Sequence, residues 1–317
     1  MASLKEFNKG SRFANVKAFE PVAQSAGGAA SATGWNEGSA NIPTQSAAAL
    51  GDSNSGMHLT IAILAALLQR EHPGKGSYVY QSMQDAVINL CRIKLRDQLM
   101  LDNLGALPFY AVYPNYKLGK AIPRSENSEG GQVIGWTYKA KGWETDPNAY
   151  VYIIIQNKNK SWETIANTMG HPEWATDERF KDWEHRQLHK QEIYPLIESY
   201  TKNYDKYELT KKLGEAGILV GPVLDWHELE NDPDLNEDGT LVKINQGGNR
   251  GEFKTVGMPF TMSNYKPTYK RAPDLGENNK EILSSLGYDS EQIEELVKGV
   301  ISKVEKPHNP RTKVIKD

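Results

Sequence analysis

The chain of 317 residues is 38% hydrophobic and 24% charged, with a formal net charge of -3, the balance of a globular protein long enough for one large or two ordinary domains. It has no basic excess to gather a phosphate backbone, which argues against nucleic acid as a partner, and its longest apolar run, 57–68, would rise only about 18 Å as a helix, too short to cross a membrane. The single cysteine, Cys91, excludes an internal disulfide, and the charged amino terminus lacks the apolar core of a secretory signal, so the expected location is cytoplasmic.

In chain order, residues 1–16 carry no strong pattern and read as an exposed lead-in. Lys17-Ala18-Phe19-Glu20-Pro21-Val22-Ala23-Gln24 follows, and small residues crowd behind it, which suits tight packing between helices or close approach of the backbone to a ligand. Residues 34–44 form a Gly-, Asn- and Pro-bearing loop. At Gly51-Asp52-Ser53-Asn54-Ser55-Gly56-Met57-His58 an acidic and hydroxyl cluster runs straight into a nearly all-apolar segment. The pattern predicts a buried helix with a polar first turn, closing near 69–72. Asp52 at that junction has two readings: a carboxylate favoured by the free N–H groups and dipole of a helix start, or a nucleophile for covalent catalysis. Residues 77–81 predict a short strand. From 83 to about 101, Ala86, Val87, Leu90, Ile93, Leu95 and Leu99 predict an amphipathic helix, in which Cys91 reads as a small buried hydrophobe.

Residues 104–120 read as a crossing between lobes. In Ser128-Glu129-Gly130-Gly131-Gln132-Val133-Ile134-Gly135-Trp136 the glycines match neither a dinucleotide fingerprint nor a P-loop, and a flexible linker is the plain reading. A second lobe spans 141 to about 225. It contains a strand at 150–156 expected to be buried on both faces, a helix capped by Ser161 and stopped by Gly170, helices at about 193–202 and 207–215, and a strand entering a turn at 217–223. His185 and His189 have the spacing of a zinc pair but no third ligand, and read as a solvated face. Asp234-Leu235-Asn236-Glu237-Asp238-Gly239 matches the first half of a calcium loop, yet Asn245 stands where a bidentate Glu is required, so it reads as a polar turn. Towards the end, helices run through Ile282, Leu283 and Leu286 and, after a capping-box-like Asp289 and Gln292, through Ile293, Leu296, Val297, Val300 and Ile301. The tail beyond 306 reads as disordered.

The string Gly51 to His58 resembles the nucleophile segment of the class III CoA-transferases of the formyl-CoA:oxalate type. Segments starting at Lys17 and at Arg271-Ala272-Pro273-Asp274-Leu275-Gly276-Glu277 also resemble this family, as does the glycine loop ending in Gly135-Trp136. The resemblance runs from about 17 to 300. It implies an α/β chain with the class III CoA-transferase fold: a remainder of the large CoA-binding domain at 1–105, a linker with glycine loop and a smaller α+β domain at 106–225, and a return to the large domain at 226–317. It further implies that Asp52 attacks the thioester, that Glu20 lies beside the reacting groups, and that Lys17, Ala18 and Phe19 line the CoA channel. By the same resemblance Gly130, Gly131 and Gln132 fold over the aspartate and contact substrate. Ala18 and Phe19 are not the commonest residues at their places, and Ser128 and Glu129 stand where the family often has glycines.

The implied partners are formyl-CoA and oxalate, with coenzyme A entering as a substrate thioester and with no permanently bound cofactor and no metal. Relatives form interlocked homodimers. The resemblance begins partway into the family's sequence, so the expectation is an incomplete nucleotide-binding-type large domain with an open strand edge and apolar surface, covered by a homodimer partner or a separate N-terminal chain. Two other readings stay open: a non-catalytic remnant or interaction partner of the same fold, and an acyl-CoA racemase using the same aspartate for proton transfer.

Overall fold

The computed structural model describes residues 1–36, 38, 41–72, 74–104, 120–128, 133–247 and 250–301. The chain divides into two compact units, Met1–Val223 and a second beginning at Leu224.

The first unit opens with a strand rather than a bare lead-in. β1 (Ala2–Lys5) pairs in parallel with β2 (Val79–Ser82), Ala2 opposite Val79 and Lys5 opposite Ser82. So short a strand is fixed by backbone hydrogen bonds to a partner far along the chain, which leaves no alternation to read in the sequence. Two short helices follow, α1 (Glu20–Ala26) with Pro21 in its first turn and α2 (Ala29–Ala32). Their alanines pack with Met83 and Val87 of α4 (Met83–Leu90) into a small core. A side-chain carbon at Gly27 would lie 2.5 Å from Val87, so the small residues here serve helix packing.

Asp52 begins α3 (Asp52–Arg70), as the polar-to-apolar junction predicts. The expectation that this helix is buried fails. Among the described residues α3 packs on β1, β2 and α4, burying only Asn54 and Ser55, while Met57, Ile61, Leu64 and Leu68 are each at least 60% exposed. These four recur at helical spacing as one stripe on the side away from the strands. The expected helix over 83–101 is two. α4 ends at Cys91, and α5 (Arg92–Leu104) follows with Asp97 and Leu101 turned inward and Ile93, Leu95 and Leu99 half-exposed. Helical dihedrals lapse at Cys91, with φ -81° and ψ 12°, and beyond it the predicted apolar residues are no longer the buried ones. Cys91 itself is partly covered; burial pushes its thiol above the ordinary value against the pull of the Lys94 ammonium, in keeping with an unreactive side chain.

The rest of the first unit is built on an antiparallel sheet of order β3-β4-β5, with β3 Ile134–Lys139, β4 Tyr150–Ile155 and β5 Leu219–Pro222. β4 alternates instead of being buried on both faces. Val151, Ile153 and Ile155 enter the core, and Tyr150, Tyr152 and Ile154 lie half-covered. α6 (Asn159–Thr168), α8 (Lys190–Thr201) and α9 (Lys206–Glu215) fill the inner face with Trp162, Ile165, Ile193, Ile197, Leu209 and Leu213. Between α6 and α8 lie a 3₁₀ turn, Pro172–Thr176, whose Trp174 carbonyl accepts the Trp162 indole N–H at 2.9 Å, and α7 (Trp183–Leu188). Ser161 does not cap α6. The helix starts two residues earlier, at Asn159, so the Ser161 hydroxyl instead accepts the Gln156 N–H.

In the second unit α10 (Trp226–Asn231) starts on a capping box of Asp225 and Glu228, and α11 (Pro233–Glu237) occupies the calcium-loop lookalike as a short helix. Asp238 spends its carboxylate on the Thr240 N–H. β6 (Leu241–Asn245) and β7 (Glu252–Val256) form an antiparallel hairpin that the sequence reading does not contain. α12 (Asn279–Ser285) and α13 (Ser290–Ile301) follow, and the Asp289–Gln292 box forms in both directions, at 2.9 and 3.0 Å.

Candidate active site

The start of α3 is assembled from α1 and the segment between them. Gly51 stands at the N-cap position and supplies no side chain to the free N–H groups. Glu20, the first residue of α1, takes that role from a distance: its carboxylate accepts the N–H of Gly51 at 2.9 Å and of Asp52 at 2.5 Å. Gly51 must be glycine for this to happen. A Cβ there would lie 2.8 Å from the Ala23 side chain and 3.1 Å from the Glu20 carboxylate. Burial alone raises the Glu20 carboxyl, but the Gly51 and Asp52 amides, the Gln24 side chain and the Leu50 amide together hold it below the ordinary carboxylate value.

Because Glu20 performs the capping, the Asp52 carboxylate is released from it. Asp52 is exposed at the first helical position and, among the described residues, no partner engages its side chain. The Asn54 N–H is taken by the Ala49 carbonyl at 3.3 Å, so the helix dipole and the Ser53 N–H are what favour negative charge at this place. Below it the turn is tied down by hydrogen bonds. Asn54 is buried and donates to the Ala86 carbonyl at 3.1 Å, and His58 Nδ1 lies 3.0 Å from the Asn54 carbonyl and so carries a proton there.

The residues before Glu20 separate by exposure: Lys17 and Phe19 face outward, Phe19 by 78%, and Ala18 is buried. Gly130, Gly131 and Gln132 lie outside the described residues. Before them, the Asn36 side chain accepts the Arg124 N–H at 2.9 Å, donates to the Arg124 carbonyl at 2.9 Å, and donates to Glu126, whose φ of 52° is unusual for a non-glycine residue. After them, Gly135 in β3 leaves room for Tyr152, whose hydroxyl crosses to donate to the Asn127 carbonyl at 2.9 Å. Trp136 stacks on Tyr194 at 4.4 Å and meets the edge of Trp35 at 6.1 Å.

Thus the structure brings Glu20 to the backbone of Asp52 and leaves Lys17 to Phe19 one step ahead of it on the same segment. Sequence reasoning missed Gln24, Asn36 and Tyr152. A glycine inside a strand signals a close approach, so Gly135 was the available sign for Tyr152. The histidine pair is accounted for by carboxylates: His185 Nδ1 lies 2.6 Å from Asp182 and His189 Nδ1 2.6 Å from Glu192. Among the described residues there is no group of His, Cys, Asp and Glu that could hold a metal ion, and no helix long and apolar enough to cross a membrane.

The family model for CoA-transferase family III matches residues 1–279. The chain is 50% identical over 291 residues to formyl-CoA:oxalate CoA-transferases of Shigella sonnei strain Ss046 and Escherichia coli O139:H28, covering 92% of this chain and 68% of each relative. Among solved structures, a CaiB/BaiF family protein from Brucella suis superposes with a TM-score of 0.68 at 21% identity, over 90% of this chain and 67% of that one. Rv3272 from Mycobacterium tuberculosis does so at 0.66 and 18%, over 88% and 67%.

Proposed function

The chain belongs to CoA-transferase family III, and from that premise we propose that it moves coenzyme A from formyl-CoA to oxalate, giving oxalyl-CoA and formate, with Asp52 as the nucleophile. The observation that carries this reading is an exposed carboxylate at a helix start whose capping is done by another residue, Glu20.

Moving CoA between acids requires a group that holds an acyl unit without losing it to water, and a carboxylate does this as a mixed anhydride. The Asp52 carboxylate attacks the formyl carbonyl and CoA leaves as thiolate. The thiolate attacks the Asp52 carbonyl of the anhydride, expelling formate and leaving an aspartyl-CoA thioester. Oxalate then attacks that thioester and expels the thiolate again, and the thiolate takes the oxalyl group, returning Asp52 as carboxylate. The dipole of α3 and the Ser53 N–H, the first-turn amide that neither Glu20 nor the Ala49 carbonyl engages, favour the negative charge that develops at each step. Glu20 contributes by fixing the backbone of Gly51 and Asp52. Lys17, Ala18 and Phe19 are assigned to CoA, with the Lys17 ammonium suited to its phosphates. Gly130, Gly131 and Gln132 are assigned to a loop that excludes water from the anhydride and contacts the incoming acid.

A second reading, a non-catalytic interaction partner of the same fold, is favoured by the exposed apolar stripe of α3. One experiment separates the two. Asp52→Asn is expected to abolish transfer, by at least about a thousandfold, while the rise in melting temperature on adding CoA stays that of the wild type. Retained turnover in the variant overturns the nucleophile assignment. A wild-type chain that neither turns over nor gains stability from CoA supports the second reading.

A further inference from the structure

One turn along α1 from Glu20 sits Gln24, 1% exposed, with every polar atom of its side chain engaged. Its Nε2 donates to Glu20 Oε1 at 2.8 Å, to the Ser46 carbonyl at 3.0 Å and to the Ala48 carbonyl at 3.2 Å, and its Oε1 accepts the Ser46 N–H at 2.9 Å. Three acceptors on one end and a donor on the other fix which end is the amide nitrogen. The residue therefore joins three things: the helix α1, the stretch of chain that delivers Gly51 and Asp52, and the carboxylate that receives their N–H groups.

A carboxylate alone at position 20 does not define this arrangement, because it is free to rotate about its last bond and its two oxygens are equivalent. The Gln24 amide restricts that freedom by donating to Oε1, the oxygen that also accepts the Gly51 N–H, so that Oε2 is the one turned to Asp52. The same amide holds the Ser46–Ala48 carbonyls, so the approach to α3 and its cap are set by one group. We propose that Gln24 is a positioning residue for Asp52, acting through the Glu20 carboxylate and the 46–48 segment; the proposal rests on the reading of Asp52 as nucleophile. A nucleophile displaced by as little as an ångström loses about a hundredfold in rate, whereas substrate binding by residues elsewhere is unaffected. The signature is consequently a loss in kcat with KM for formyl-CoA preserved.

The test compares Gln24→Met, which keeps length and removes the hydrogen bonds, with Gln24→Glu, which keeps shape and replaces donors by acceptors, and with Asp52→Asn. Steady-state kinetics with formyl-CoA and oxalate are measured beside amide hydrogen exchange. In both Gln24 variants kcat is expected to fall about 10- to 100-fold with KM within about threefold. The Gly51 and Asp52 amides are expected to exchange at least about tenfold faster while those of Val87 and Ile153 keep their rates. In a Glu20→Gln background, Gln24→Met should add less than about a threefold further loss, because the two act as one unit. Wild-type kcat and exchange in Gln24→Met overturn the proposal. So does faster exchange at Val87 and Ile153 together with the kcat loss, which makes Gln24 a general stabiliser. If instead Asp52→Asn turns over normally, the nucleophile reading falls, and the exchange data alone still decide whether Gln24 holds the start of α3.

Discussion

At the scale of single residues, the decisive exchange of duties is between Glu20 and Asp52. An aspartate at a helix start is ordinarily a cap, and spacing alone cannot say otherwise. The cap here comes from 32 residues upstream, a contact that no local pattern encodes. This is why the string around Asp52 was legible and the reason for its freedom was not. The interaction has a pH signature. The folded-state carboxyl of Glu20 is held below its unfolded value, since hydrogen bonds to the ionised form outweigh the raising effect of burial. Its contribution to stability is therefore complete above the unfolded value of about 4.3 and is lost as pH falls through the lower folded one. Denaturant titrations of wild type and Glu20→Ala are expected to differ by about 1 kcal/mol at pH 7 and to converge as pH drops below about 4. A difference that persists unchanged at pH 3 means that the carboxylate form is not what matters.

Helices and strands were legible where burial is one-sided and sequence-local. α6, α8 and α9 show their buried residues at helical spacing, and the Asp289–Gln292 box announces α13. The misses share another cause. β1 depends on a partner 77 positions away, and the break at Cys91, where ψ is 12°, falls at a residue that is neither Gly nor Pro. The crowd of small residues around Gly27 suits either packing or ligand approach in the sequence, and the geometry selects packing. Gly27→Ala should consequently cost about 1–3 kcal/mol, because the added carbon meets Val87 in an otherwise filled site. Pairing it with Val87→Ala should recover part of that loss in thermal or chemical denaturation. Equal stability of Gly27→Ala and wild type refutes the close contact.

For the molecule as a whole, burial is unevenly shared. The sheet β3-β4-β5 carries a continuous core from Ile134 to Ile218, whereas the core under α1, α2 and α4 consists of Ala23, Ala29, Met83 and Val87. Beside that small core the apolar stripe of α3 is exposed, and the β1–β2 sheet has two strands among the described residues. Stability should therefore be distributed unequally within the first unit. Amides of Val151, Ile153 and Ile165 are expected to exchange at least about a hundredfold more slowly than those of Leu64 and Leu68, whose side chains face away from the packed elements. Indistinguishable protection across the two regions contradicts that gradient. The aromatic tier of Trp35, Trp136 and Tyr194 adds a property of another kind. Trp35 meets the edge of Trp136, which lies flat on Tyr194, so three segments distant in sequence bring their ring transitions within coupling distance. Chromophores held in a fixed chiral array produce near-ultraviolet circular dichroism, and the protein thereby carries an optical gauge of its own: a rotation of Trp136 against Trp35 registers as a change in light absorption handedness, with no dye attached.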